Sequence, residues 1–90
     1  MSVLYHVTGR QLAAGRVLAG FSQEKVAKDA NVSIATLRRI EASYGIPSAL
    51  PNNVDAVKRA IEGLGIDFTF DQQGREGVKV NARGIARPPQ

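Results

Sequence analysis

Cysteine is absent from the chain, and histidine occurs once, as His6. The first absence excludes disulfides and thiolate metal sites. The second leaves no histidine cluster to hold a metal. No apolar run approaches the roughly 20 residues that a membrane helix needs. The opening "MSVLYHVTGR" lacks the basic start and apolar stretch of a signal peptide, so a cytoplasmic location is the expectation. Acidic residues are in deficit, with 12 Lys and Arg against 8 Asp and Glu, a net charge of +4 and a pI near 10.0. Residues 1–50 carry six basic and three acidic residues, and residues 51–90 carry six and five. The excess, +3 against +1, therefore lies mostly in the first half. That balance suits a polyanionic partner.

Catalytic machinery is missing as well. No cysteine–histidine or serine–histidine set is available beyond His6, which reads as a strand residue without special chemistry. The carboxylates are scattered, with no pair at metal or acid–base spacing. The stretch "GREG" (74–77) is a hairpin turn and not a phosphate loop, because no helix start follows it. The sequence thus predicts no enzyme, no catalytic residue and no cofactor.

What is present is a 90-residue chain, 43% hydrophobic and 22% charged, enough for one domain with one modest core. Three helices share one starting device. Thr8, Ser22 and Ser33 are each suited to accept a hydrogen bond from an orphan N–H of a first helical turn. Each is preceded by an apolar residue (Val7, Phe21, Val32) and followed four positions on by another (Leu12, Val26, Leu37), which is hydrophobic-staple spacing. Gln11 completes a capping box with Thr8.

The first helix is expected over 9–19, ending at Gly20, with Leu12, Val17 and small alanines inward. Gly15 inside it marks a close contact. The second is expected over 23–30 with Val26, Ala27 and Ala30 inward, and the third over 34–43. Asn31 between them tolerates the left-handed turn conformation. "YGIPSALPNN" is a loop set by Gly45, Pro47 and Pro51. A fourth helix is expected over 53–63, with Val54, Val57, Ile61 and Leu64 at three- and four-residue spacing. "IDFTF" (66–70) and "GVKVN" (77–81) alternate around the turn residues of "DQQGRE", a β-hairpin pattern. "VLYHV" (3–7) is a short strand or ordered arm, and residues 82–90 form a flexible tail.

Two short helices joined by a tight turn, the second with outward arginines, make a helix-turn-helix. The segment "GRQLAAGRVLAGFSQEKVAKDANVSIATLRRIEAS" resembles the lambda-repressor-like (Xre/Cro) helix-turn-helix family. The match is carried by Arg16, "FSQEKVA", "ANVS" and "TLRRIE", and extends over residues 9–64 with the fourth helix.

The resemblance implies roles by position. Gln23 matches a glutamine that touches a DNA phosphate and braces the recognition helix. Ser33, Ile34, Ala35 and Arg39 match positions that face base edges. Thr36 and Arg38 match flanking positions nearer the backbone. Arg16 and Glu41 match a buried ion pair joining the first helix to the third. The helical period agrees, because residues 34 and 38 share one row and 35 and 39 the next, opposite Leu37 and Ile40. Plainer readings stand beside these. Arg38 and Arg39 can be a solvated face, Ile34 a further core residue, Ser33 a cap alone, Gln23 a helix-start residue, and Arg16 and Glu41 unrelated surface charges.

The expectation is a mainly α, four-helix lambda-repressor-like domain over residues 1–81, with its helical core at 8–64, a short N-terminal strand or arm, and a C-terminal β-hairpin at 66–81. An isolated two-stranded hairpin is marginal in water, so this one needs a partner: "VLYHV", the same hairpin of another subunit, or the helical core. The hairpin, with or without the 3–7 strand, is the candidate dimer element. The expected function is sequence-specific transcription regulation by a homodimer on palindromic double-stranded DNA, in the nucleoid when bound. The alternatives are a protein-binding module on the same fold, an antitoxin or antiactivator, and an architectural DNA binder with little sequence preference.

Overall fold

Hydroxyl caps set three of the four helices among the described residues. The computed structural model describes residues 6–86. Thr8 Oγ1 accepts from the Gln11 N–H at 3.0 Å while Gln11 Oε1 accepts from the Thr8 N–H at 3.1 Å, and α1 runs Gly9–Ala19 behind this capping box. Ser22 starts α2 (Gln23–Ala30) and Ser33 starts α3 (Ile34–Glu41), each accepting from the backbone three residues on. Gly20 and Asn31 close α1 and α2 in the left-handed conformation, with φ of 82° and 56°. α4 spans Pro51–Glu62. β1 (Ile66–Phe70) and β2 (Glu76–Val80) pair antiparallel, with Phe68 opposite Val78.

α1 packs against α3, α4 and both strands, and α2 packs against α3 and α4. Leu12, Val26, Leu37, Ile40, Val57, Ile61 and Ile66 are fully buried where these elements meet. Each such side chain contributes about 1.5–3 kcal/mol through its removal from water. Gly15 is where α1 meets the hairpin. A Cβ there would lie 2.9 Å from Phe68 and 3.2 Å from Ile61 and Ile66, so its lack of side chain lets the helix and sheet touch.

Several boundaries and orientations depart from the sequence reading. Val17 does not face inward and is 65% exposed. The buried line of α1 is Gln11, Leu12, Gly15 and Ala19, and Val17 lies about 200° round the helix from Gly15. α3 stops at Glu41 instead of 43, with Ala42 as its C-cap. α4 begins two residues early, at Pro51, because a proline in the first turn removes only an N–H that would be an orphan anyway. His6 and Val7 are not in a strand; Val7 is buried in the core, and residues 3–5 of the expected strand lie outside the described residues.

The chain after the hairpin is not loose over 82–86. The Ala86 N–H donates to the Leu64 carbonyl at 3.0 Å, the Asn81 N–H donates to that of Gly65 at 2.8 Å, and Ile85 packs against the core. The flexible tail expected over 82–90 is thus anchored as far as residue 86, with Ile85 as its apolar contact.

Candidate nucleic-acid interface

α3 presents two faces with opposite chemistry. Leu37 and Ile40 are fully buried, and Ile34 and Val32 pack partly against the same core. Ser33, Ala35, Arg38 and Arg39 are exposed, and Thr36 is half-buried. Ile34 thus has a packing role in the structure and still keeps part of its surface open. Ser33 does two things locally: its Oγ accepts from the Thr36 N–H at 3.0 Å and donates to Thr36 Oγ1 at 2.9 Å. The two hydroxyls hold each other at the helix start.

Behind the exposed face lies one charged network. Arg16 grips Glu41 with a two-pronged contact, Nε to Oε2 at 2.7 Å and Nη2 to Oε1 at 2.9 Å, and its Nη1 donates to the Phe21 carbonyl at 2.9 Å. The side chains are only 16% and 5% exposed. Such a fork is among the stronger charge-assisted arrangements. It joins α1, the α1–α2 connection and the last residue of α3. Its value is orientation more than net stability, since desolvation offsets much of the attraction. Gln23 adds α2: its Nε2 donates to Glu41 Oε1 at 3.1 Å.

The network ends at the surface in Arg38. Its Nε makes a long contact of 3.5 Å to Gln23 Oε1, and its Nη2 lies 4.0 Å from Glu24. Both side chains of the Arg38–Glu24 pair are more than half exposed, so the pair is weak. The Arg39 guanidinium, by contrast, has no hydrogen bond or ion pair among the described residues, while its carbonyl accepts from Ser43 Oγ at 3.2 Å. The two adjacent arginines are therefore in different states, one lightly tethered and one free.

Of the residues singled out from sequence, the structure brings Arg16, Gln23, Arg38 and Glu41 into one connected set. It places Ser33, Ala35 and Arg39 on open surface. Glu24 was not singled out. Its signal was available, because it occupies the exposed first turn of α2 beside Gln23. Among the described residues no group of acidic, histidine or cysteine side chains could hold a metal, and no helix is long and apolar enough to cross a membrane.

This arrangement, a capped helix with a left-handed turn before it and a braced, basic helix after it, coincides with a known sequence pattern. Residues 12–50 match the helix-turn-helix family model. That segment is a helix-turn-helix of the Xre, lambda-repressor-like type. The match covers α2, α3 and most of α1, and ends just before α4. No curated protein matches the chain at a significant level. The Xre helix-turn-helix is a DNA-binding regulatory family and not an enzyme family, and the match over this segment supports a DNA-binding regulator of that type.

Proposed function

We propose that the protein is a sequence-specific transcription regulator that binds palindromic double-stranded DNA as a homodimer, with α3 in the major groove. One observation supports this above the others: the free Arg39 guanidinium stands beside the small, exposed Ala35 on a helix whose opposite face is fixed by the core and by Glu41. A small residue near the helix start lets the backbone approach the bases, and the groove is about as wide as one helix. Ser33, Ile34 and Ala35 are the apolar and hydroxyl contacts at that end, with the open part of Ile34 and the Ala35 methyl against thymine methyls. Arg39 reads guanine through O6 and N7.

Arg38, Thr36 and Gln23 face the backbone. Arg38 exchanges its weak partner Glu24 for a phosphate, which positions the protein without specifying sequence. Gln23 serves twice, bracing Glu41 with its N–H and turning its remaining polar surface to the phosphate. One recognition helix contacts few base pairs, so two copies on half-sites about 34–36 Å apart supply the specificity. Work at the nucleoid, inside the cytoplasm, follows from this reading.

The test is selection of bound DNA from a random pool. A palindromic consensus with half-sites one helical turn apart is the expected result. Enrichment of no sequence would leave only nonspecific binding and sink the proposal.

A further inference from the structure

One apolar surface has no role in the DNA reading. Ala14, Val17 and Leu18 on α1 face solvent, with Val17 65% and Leu18 46% exposed. On β2, Val80 is 42% exposed and Val78 is half-buried. The two sets adjoin, because α1 and β2 run side by side in the same direction. Arg10 is ion-paired with Glu76, Gln11 Nε2 donates to the Gly77 carbonyl at 3.0 Å, and Ala14 and Val78 line one shallow groove. Val17 and Leu18 come one turn beyond Ala14, and Val80 two residues beyond Val78. The rim at the other end is polar and aromatic: the Arg10 guanidinium stacks 3.9 Å above the Tyr44 ring.

Among the described residues, the strand edge beside this face is unpaired. The Asp71 N–H donates to the Arg75 carbonyl and the Asn81 N–H to the Gly65 carbonyl. Antiparallel alternation then turns the backbone groups of residues 76, 78 and 80 outward. No hydrogen bond among the described residues engages the backbone of Val78 or Val80. An open edge is a template for another strand.

We propose that the β2 edge and the Ala14–Val17–Leu18 face of α1 together form the interface between two copies of this chain. The proposal deepens the homodimer reading above and rests on it for its two-fold symmetry. The charges disfavour the registers on either side of Val78. With the axis at Val78, Val78 meets its own counterpart and Lys79 meets the counterpart of Gly77, so no like charges oppose. An axis at Lys79 sets lysine against lysine, and an axis at Gly77 sets Lys79 against Arg75; like charges directly opposite destabilise a sheet. Residues 81–86 cannot fill the edge, because they are already bound at Leu64 and Gly65. Each α1 face then lies beside the extended sheet, and the apolar strip is covered from both copies.

The lack of cysteine makes the register directly testable. In the proposed pairing the two Val78 Cα atoms lie about 5.5 Å apart, within disulfide reach. V78C should therefore form a covalent dimer under mild oxidation, while D67C, on the exposed face of β1, should not. In sedimentation without DNA the wild type should be dimeric. V17D/V80D should raise the dissociation constant at least about tenfold, with helical content by circular dichroism unchanged. Three results would each overturn the interface: a wild type monomeric at about 100 µM, equal cross-linking of V78C and D67C, or a V17D/V80D variant as dimeric as the wild type. The first would leave the edge to a different partner. Because these measurements use no DNA, their failure leaves the α3 reading standing, and failure of operator selection leaves them standing.

Discussion

The α2–α3 pair and the β-hairpin are held in place by different kinds of interaction. In the pair, the contacts that shape each element are short in sequence: a hydroxyl three residues before an N–H, a left-handed Asn31 between two helices, Leu37 and Ile40 three apart. The exceptions are the bonds of Arg16 and Gln23 to Glu41 and the weak contacts of Arg38 with Gln23 and Glu24. In the hairpin, the turn is local, with Asp71 Oδ1 accepting from the Gln73 and Arg75 N–H groups at 2.9 and 2.8 Å, but the docking is not. Gln11 Nε2 reaches the carbonyls of Thr69 and Gly77, 58 and 66 residues away. It is a buried polar side chain with its hydrogen bonds made. The difference teaches that the surface proposed for DNA is a local product, oriented by one buried ion pair, while the docking of the hairpin draws on an amide and a missing side chain in α1.

Breaking the ion pair should have the largest effect. Arg16→Ala leaves Glu41 buried and uncompensated, and we expect a loss of about 3–5 kcal/mol in chemical denaturation. A loss under about 1 kcal/mol would mean that Glu41 simply turns to water. On the other side of the comparison, Gly15→Leu overfills the α1–hairpin seam, with an expected cost of about 1–3 kcal/mol. If the two halves are distinct, the hairpin amides should lose exchange protection before those of α3. Uniform loss would show that the domain opens as one unit.

Next come the two arginines. Arg39→Ala should relax discrimination at one base position per half-site by about 1–3 kcal/mol. Arg38→Ala should weaken binding to all sequences and reduce the salt slope by about one unit. Identical effects from both substitutions would contradict their assignment to different parts of the duplex.

The smallest effect is on acid. Hydrogen bonds from the Arg75 backbone and side chain hold the Asp71 carboxyl below its ordinary 3.8, and the Arg10 side chain holds Glu76 below its ordinary 4.5. Groups whose values are lowered by folding stabilise the folded form above those ordinary values and lose that contribution as the pH falls through the folded ones. Hairpin protection should therefore weaken below pH 4, and Asp71→Asn should flatten that dependence. Both carboxyls are at the surface, so the change will be slight and salt-sensitive.

The same division governs what could be read from the sequence. Caps, turns and inward positions of α2 and α3 follow from spacing, because each is set within a few residues. The hairpin pattern was visible for the same reason. Val17 was not legible: its apolar side chain suggested the core, and only the packing of α1 against α3, α4 and the hairpin decides that Gly15 and Gln11 take that face. Gln11 showed its capping role and hid its second one, since nothing near position 11 points to carbonyls in the far strands. The pairing of Arg38 with Glu24 was equally hidden, because it needs the angle between two helices.

The Gln11 joint has a consequence for how the domain can vary. Both acceptors are main-chain carbonyls, so the amide does not read which side chains the strands carry. Residues such as Asp67, Thr69 and Lys79 can drift, and the surface charge of the hairpin with them, while the hairpin stays docked. Position 11 has no such freedom, because it must cap a helix with an oxygen and hold two strands with a nitrogen at the same time. Mutational tolerance across the α1–hairpin seam is therefore one-sided, wide on the strands and narrow on the helix. A library that randomises the hairpin surface would keep the fold, and one that randomises position 11 would return glutamine.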